Sequence, residues 1–278
     1  MPKVLVTADL HWNLYPRGDA ATEKLAELVC GSEADVFVIA GDVADSSEKG
    51  FAECLSLFGD FDGVKLLVPG NHDLWTRDGD SERLYREVLP RISRGADFHY
   101  LDKSPVIHHG LGFIGNIGWY DYSFRNQDIG LTLEDYRNKT MPGVCSWNDR
   151  VFIRWDYSDE QFTQMCLRKL RGHYREVAKD VDSVIAILHH LPFAELMYGP
   201  ADPPLEFCRA YLGTAAFGKL LSRCEKVECA VCGHRHGADE YSEGGLRTFV
   251  VGSEYEMKRM MEIDTETGAV AWRCVDGR

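Results

Sequence analysis

Five short clusters in this chain combine carboxylates, imidazoles and a carboxamide at tight spacing: Asp9-x-His11, Gly41-Asp42, Gly70-Asn71-His72-Asp73, His189-His190 and Gly233-His234-Arg235-His236. Taken singly, each carries little weight, since an Asp after a strand often caps a helix or closes a turn. Taken together they describe a metal centre. Donors two residues apart in a tight loop converge on one ion, and oxygen plus imidazole donors without thiolates suit divalent manganese, iron, cobalt, nickel or zinc. One carboxylate shared by two ions would hold them about 3.5 to 4 Å apart, a separation that serves in-line phosphoryl substitution.

Such clusters need elements that bring them to one place. Lys3 to Ala8, Val36 to Ala40 and Val64 to Val68 are β-branched runs predicted as strands, with helices near Asp19 to Cys30 and Ser46 to Phe58 between them. That order reads as βαβαβ with a parallel sheet. Its crossovers put the loops beginning at Asp9, Gly41 and Gly70 on one sheet edge, where open α/β folds bind ligands. Pro105 to His109 and Gly112 to Ile117 predict a hairpin about Gly110. Ser158 and Gln161 form a capping box that starts a helix running to about Lys179, with Phe162, Cys166 and Leu170 on one stripe. Val184 to Leu188 and Val227 to Cys232 read as strands flanking a helix over Thr214 to Cys224, and Leu246 to Val275 reads as antiparallel strands turning near Thr267-Gly268. Residues 119–156 lose periodicity and carry Trp119, Tyr120, Tyr122, Tyr136, Trp147 and Trp155. This partly ordered insertion is expected to be a lid or binding loop, with aromatic packing onto the domain as the alternative. No repeat or linker interrupts the chain, so residues 1–278 are expected to form one domain.

The ordered series D-x-H, G-D, G-N-H-D, H and G-H-x-H, each after a strand, resembles the calcineurin-like metallophosphoesterase superfamily. It spans Asp9 to His236 and leaves out the insertion and the last forty or so residues. The resemblance implies an α/β fold, a four-layer α/β/β/α sandwich of two mixed sheets with a dinuclear metal site at the strand ends. It implies Asp9, His11 and His236 as ligands of one ion, Asp42 as the bridge, and Asn71, His189 and His234 as ligands of the other. A bridging hydroxide would attack phosphorus, with His72 stabilising the phosphorane or protonating the leaving alkoxide and Asp73 orienting it. Because the family ligand directly follows the strand, His189 is chosen over His190, which is left as a substrate contact or a structural residue. Arg235 is either a phosphate contact or a surface ion pair. Manganese or iron is the favoured metal.

Some features depart from known branches or carry no chemistry. Asp45 occupies the position where purple acid phosphatases place a tyrosine. Pro69 and Ala44-Asp45-Ser46 differ from the Arg and Asp-Arg-Gly of the Ser/Thr protein phosphatases. Cys229-x-x-Cys232 lacks the second pair a zinc knuckle needs, and His108-His109 is assigned no metal.

Composition sets the remaining bounds. With 278 residues and 45% hydrophobic content the chain can bury a large core. Lys and Arg number 31 against 44 Asp and Glu, a net charge of -13 that disfavours a nucleic-acid or anionic-membrane partner. No apolar run approaches the roughly 18 residues of a spanning helix. The N-terminus lacks a secretory pattern, and nine scattered cysteines suit reduced thiols, so a cytoplasmic location is expected. The expected function is hydrolysis of a small phosphomonoester or phosphodiester, with a nucleotide as one candidate stacked by the aromatic insertion. The alternatives are a DNA exonuclease of the same superfamily and a non-catalytic interaction scaffold.

Overall fold

The computed structural model describes residues 2–278. In chain order the strands are β1 (Lys3–Thr7), β2 (Val36–Ala40), β3 (Val64–Val68), β4 (Phe98–Tyr100), β5 (Val106–His108), β6 (Leu111–Asn116), β7 (Thr140–Met141), β8 (Cys145–Ser146), β9 (Ser183–Leu188), β10 (Val227–Cys232), β11 (Ala238–Glu243), β12 (Leu246–Val251), β13 (Met257–Asp264) and β14 (Val270–Asp276). The helices are α1 (Pro16–Cys30), α2 (Glu48–Ser56), α3 (Ser81–Arg83), α4 (Leu89–Gly95), α5 (Leu133–Arg137), α6 (Asp149–Phe152), α7 (Asp159–Val177), α8 (Pro203–Cys208) and α9 (Ala215–Leu221). One six-stranded sheet has the order β14-β13-β1-β2-β3-β4, the other β11-β12-β10-β9-β6-β5. In the second sheet a parallel centre is flanked on both sides by antiparallel strands, whereas in the first the antiparallel β13 and β14 lie on one side and β4 on the other edge is parallel to β3.

Side-chain alternation along the strands builds the layers. Val4, Val6, Val36, Val38 and Leu66 from the first sheet meet Phe113, Ile185, Ile187, Val231 and Phe249 from the second in one buried cluster, the layer between the sheets. The intervening residues Leu5, Phe37, Ile39 and Leu67, like Ile114, Ala186, Leu188 and Ala230, pack with helical residues such as Leu25, Val29, Phe162 and Leu170. Strands buried on both faces need apolar residues at consecutive positions, which is why they read as continuous apolar runs rather than alternating ones. The result is the expected four-layer α/β/β/α sandwich.

Several local expectations hold to within a few residues. Ser158 and Gln161 cap α7 reciprocally, and the hairpin of β5 and β6 turns at Gly110, at φ +79°. The tail differs. The antiparallel pair turning near Thr267-Gly268 is present as β13 and β14, which join the first sheet beside β1, but β12 lies parallel to β10 in the second sheet. The run Phe249-Val250-Val251 is fully apolar and suits an interior strand. Strands β4 and β11 carry no clear sequence signal and were not expected.

The 119–156 segment folds onto the body. Trp119, Tyr120, Tyr122 and Tyr136 are buried, and Trp119 Nε1 donates to Asp159 Oδ1 at 2.8 Å. For these four aromatics the packing reading holds, and none is open to stack on a nucleobase.

Candidate active site

The clusters of interest sit where β1, β2, β3, β9 and β10 end on a common edge. Tight backbone turns aim their side chains inward. Asp9, His11, Asp42 and His234 all have left-handed backbones, with φ of 57°, 44°, 52° and 66°. That conformation costs on the order of 1–3 kcal/mol at a non-glycine residue and persists where surrounding structure enforces it. Two glycines admit the close approach. A Cβ on Gly41 would lie 2.3 Å from His189 Nδ1, and one on Gly70 would lie 2.0 Å from Asp42 Oδ1.

Strand parity separates the adjacent histidines. His189 continues the inter-sheet side of Ile185 and Ile187. Its Nδ1 donates to the Ala40 carbonyl at 2.9 Å, which leaves Nε2 as a free donor atom facing Asn71 Oδ1 at 3.2 Å. His190 takes the opposite side, where Nδ1 donates to the Ile117 carbonyl at 3.0 Å and the ring lies 4.3 Å from His234. Its side chain has no exposed surface, which favours the structural reading over the substrate contact.

Two groups of ligand atoms converge. Asp9, His11 and His236 present donor atoms all within 4.8 Å of one another, as do Asp42, His189 and His234. Between them stands Asp42, with Oδ2 3.4 Å from His189 Nε2 and 3.6 Å from His11 Nε2. His11 Nε2 and His236 Nε2 face each other at 3.1 Å. Burial pushes both imidazoles down, His11 well below its ordinary value and His236 to about 4, so neither ring is a cation near neutral pH. Burial pulls the Asp9 carboxyl up, and with Asp42 opposing it and His189 relieving it the group reaches about 7. Burial also pulls at Asp42, but the histidines His189 and His72 outweigh it and hold this carboxyl well below the usual range. Facing imidazole nitrogens and two buried carboxylates are a donor set that one or two cations would satisfy. His234 Nε2 donates to the Tyr211 carbonyl at 3.2 Å, so its Nδ1 is the atom left for an ion.

His72 lies at the mouth, its ring stacked on Trp75 at 3.5 Å. Its orienting partner is not Asp73. His72 Nδ1 bonds Asp45 Oδ1 at 2.5 Å. The Asp73 carboxylate turns inward to accept the N–H groups of Ala44 at 3.0 Å and Gly70 at 2.8 Å, which ties together the loops after β2 and β3. The reason is geometric: His72 and Asp73 are consecutive in a short 3-10 turn, where neighbouring side chains diverge. Burial pushes the His72 imidazole down, yet the Asp42 and Asp45 carboxylates outweigh that and hold it above its ordinary value. Arg235 is also redirected. Its guanidinium pairs with Asp239 at 2.5 Å, donates to the Leu196 carbonyl at 3.0 Å, and lies over the Tyr198 ring. The ion-pair reading therefore replaces the phosphate contact.

Three residues escaped the sequence reading. Asp45 could have been found from its place three residues after Asp42 in the same loop. Tyr255 gave no signal, although its ring meets His236 at 4.6 Å and His11 at 5.3 Å. Asp149, 78 residues from Asn71, is hydrogen-bonded to its side chain.

Known proteins supply an independent comparison. A profile of calcineurin-like phosphoesterases matches residues 2–238. None of the curated protein sequences compared matches this chain. Phosphopantetheinyl hydrolase (PptH) from Mycobacterium tuberculosis has a similar structure, with TM-score 0.71 and 19% identity over 92% of this chain and 91% of that one. A dimetal phosphatase from Danio rerio gives TM-score 0.56 and 16% identity over 100% of both chains. GAP50, the anchor in the inner membrane complex of Plasmodium, gives TM-score 0.51 and 9% identity over 100% of this chain and 86% of that one. At these identities the likeness is one of fold. The profile match runs over most of the chain, a range that includes the strand-end clusters gathered at one edge, and it decides the matter: the chain belongs to the calcineurin-like phosphoesterase family, hydrolases of phosphoester bonds.

Proposed function

We propose that this chain hydrolyses a small phosphomonoester or phosphodiester at a centre that holds two divalent transition-metal ions, with residues 1–278 acting as one domain. The observation that carries the reading is the position of Asp42 Oδ2, within 3.4 and 3.6 Å of imidazole nitrogens from the two ligand groups. Asp9, His11 and His236 would hold one ion, Asn71, His189 and His234 the other, and Asp42 would serve both. When bound, the ions supply Lewis acidity to water and to the phosphate oxygens.

The chain's own groups do the rest. Asp42 carries its charge at neutral pH because the surrounding histidines favour the ionised form. His72, whose protonated form the Asp42 and Asp45 carboxylates favour against burial, donates a proton to the leaving alkoxide or stabilises charge on phosphorus. Asp45 fixes its ring through Nδ1, so Nε2 is the atom that faces substrate. The acidic balance of 31 Lys and Arg against 44 Asp and Glu fits a small phosphate ester better than a nucleic acid.

The test is hydrolysis of p-nitrophenyl phosphate and bis-p-nitrophenyl phosphate with added manganese, iron or zinc, extended to nucleotides and a phosphopantetheinyl ester. Activity that disappears in Asp42→Asn is expected. Inertness on every substrate with every metal overturns the proposal. Two bound ions per purified chain would further count against a scaffold role.

A further inference from the structure

Asp149 belongs to the 119–156 segment, far from the strand-end clusters in sequence, and is buried at 1% exposure. Its Oδ1 accepts from Asn71 Nδ2 at 3.0 Å and Trp75 Nε1 at 2.6 Å. Its Oδ2 accepts from the Tyr120 hydroxyl at 2.8 Å and Trp147 Nε1 at 2.8 Å. An ionised carboxylate offers about four lone-pair sites, so its accepting capacity is filled. The backbone fixes where this carboxylate sits: Thr76 N–H donates to the Phe152 carbonyl and Ser81 N–H to the Arg154 carbonyl, both at 2.9 Å. These bonds fasten α6 to the loop that follows His72.

We propose that Asp149 is a positioning residue that selects which end of the Asn71 carboxamide faces the metal centre. The two ends of a carboxamide are nearly equal in shape but opposite in hydrogen-bonding sense. Rotated by half a turn, Asn71 would direct its NH2 group at the centre, where it cannot act as a ligand. Asp149 only accepts, so it stabilises the orientation that gives it Nδ2 and turns Oδ1 toward His189 Nε2, 3.2 Å away. The same carboxylate oxygen holds the Trp75 indole on which His72 stacks at 3.5 Å. One buried acid from the inserted segment thus sets a ligand atom on one side and backs the His72 imidazole on the other. The inference rests on the metal-dependent reading above.

The experiment is calorimetric titration of the apo protein with Mn²⁺, for the wild type, Asp149→Asn, Asn71→Ala and the double variant. Wild type is expected to take up two ions. In Asp149→Asn one binding step weakens on the order of 10–100-fold while the other is unchanged, and kcat falls with KM held within about twofold. In the Asn71→Ala background the Asp149→Asn change adds no further loss, because its route to the ion is gone. Two unaltered steps in a folded Asp149→Asn, or fully additive losses in the double variant, overturn the proposal. Should Asp149→Asn fail to fold, the wild-type Asn71 side-chain amide decides: slow hydrogen exchange supports the bond to Asp149, and rapid exchange overturns it. A wild-type chain that binds no Mn²⁺ overturns the metal-dependent reading instead, and the exchange measurement still reports on the contact.

Discussion

His72 Nδ1 and Asp45 Oδ1 stand 2.5 Å apart at the rim of the metal-ligand groups, a pairing made across 27 residues by the loops after β2 and β3. The carboxylate fixes the ring's tautomer and favours its protonated form. The form that donates a proton is therefore present below the raised pKa of the folded protein and is lost as pH rises through it. Asp42, Asp45 and Asp149 act on this ring in the raising direction, against burial. Asp45→Asn removes one of these carboxylates, so the alkaline limb of the pH–rate profile should move to lower pH. kcat should drop on the order of tenfold or more. A profile that keeps its alkaline limb in place would remove His72 from the proton-transfer role.

Asp73→Ala should behave differently from Asp45→Asn. It strands two buried backbone donors, at Ala44 and Gly70, each worth about 1–3 kcal/mol when left unpaired. Urea unfolding should show a loss of about 2–6 kcal/mol, and the alkaline limb of the surviving activity should stay where it was.

Gly70→Ala should disable the site through crowding. Its Cβ would fall 2.0 Å from Asp42 Oδ1 and 2.4 Å from the Asp42 backbone nitrogen, so the shared carboxylate must shift. Loss of at least one bound ion in elemental analysis, with activity reduced on the order of a hundredfold, is the expected result.

Chelation should lower the melting temperature, and added metal should restore it. In the absence of ions, Asp9 and Asp42 oppose each other and His11 faces His236 without a cation between them. Ligand at about a hundred times its Kd stabilises by about 2.7 kcal/mol. A scanning-calorimetry trace indifferent to both treatments would mean that the site does not hold metal in solution.

Tyr15 and Tyr255 are 45% and 41% exposed and meet edge to face at 5.5 Å beside His11. They offer an aromatic wall that the buried residues of the insertion cannot. If the substrate carries a flat ring, Tyr255→Ala should raise its KM about tenfold, given about 1–3 kcal/mol for a base stacked on an aromatic ring. KM for an aliphatic phosphate ester should hardly change.

The ligand clusters were legible because each lies within a few residues of a strand end, and a strand end in an α/β sandwich has a fixed destination. The choice between His189 and His190 followed from the same local rule, which strand parity explains. What escaped depends on how loops curl. Asp73 adjoins His72 in sequence yet points the other way, while Asp45 reaches it from another loop. Asp149 reaches Asn71 only after the inserted segment has docked, and nothing in the spacing of either residue reveals that. In the tail the β13–β14 hairpin is legible, but its strands look alike in sequence, and only packing assigns β12 to the other sheet.

The pairing of β1 with β13 joins Lys3–Thr7 to residues near the far end of the chain, Lys3 lying opposite Asp264. During synthesis at about 5–20 residues per second, that edge of β1 stays open for on the order of ten seconds or more. The strand that leads into Asp9 is thus made well before the partner strand that encloses it. Folding should be slow for the size of the chain, as long-range pairing implies, and the nascent β1 edge is the surface on which chaperone binding or premature aggregation would act.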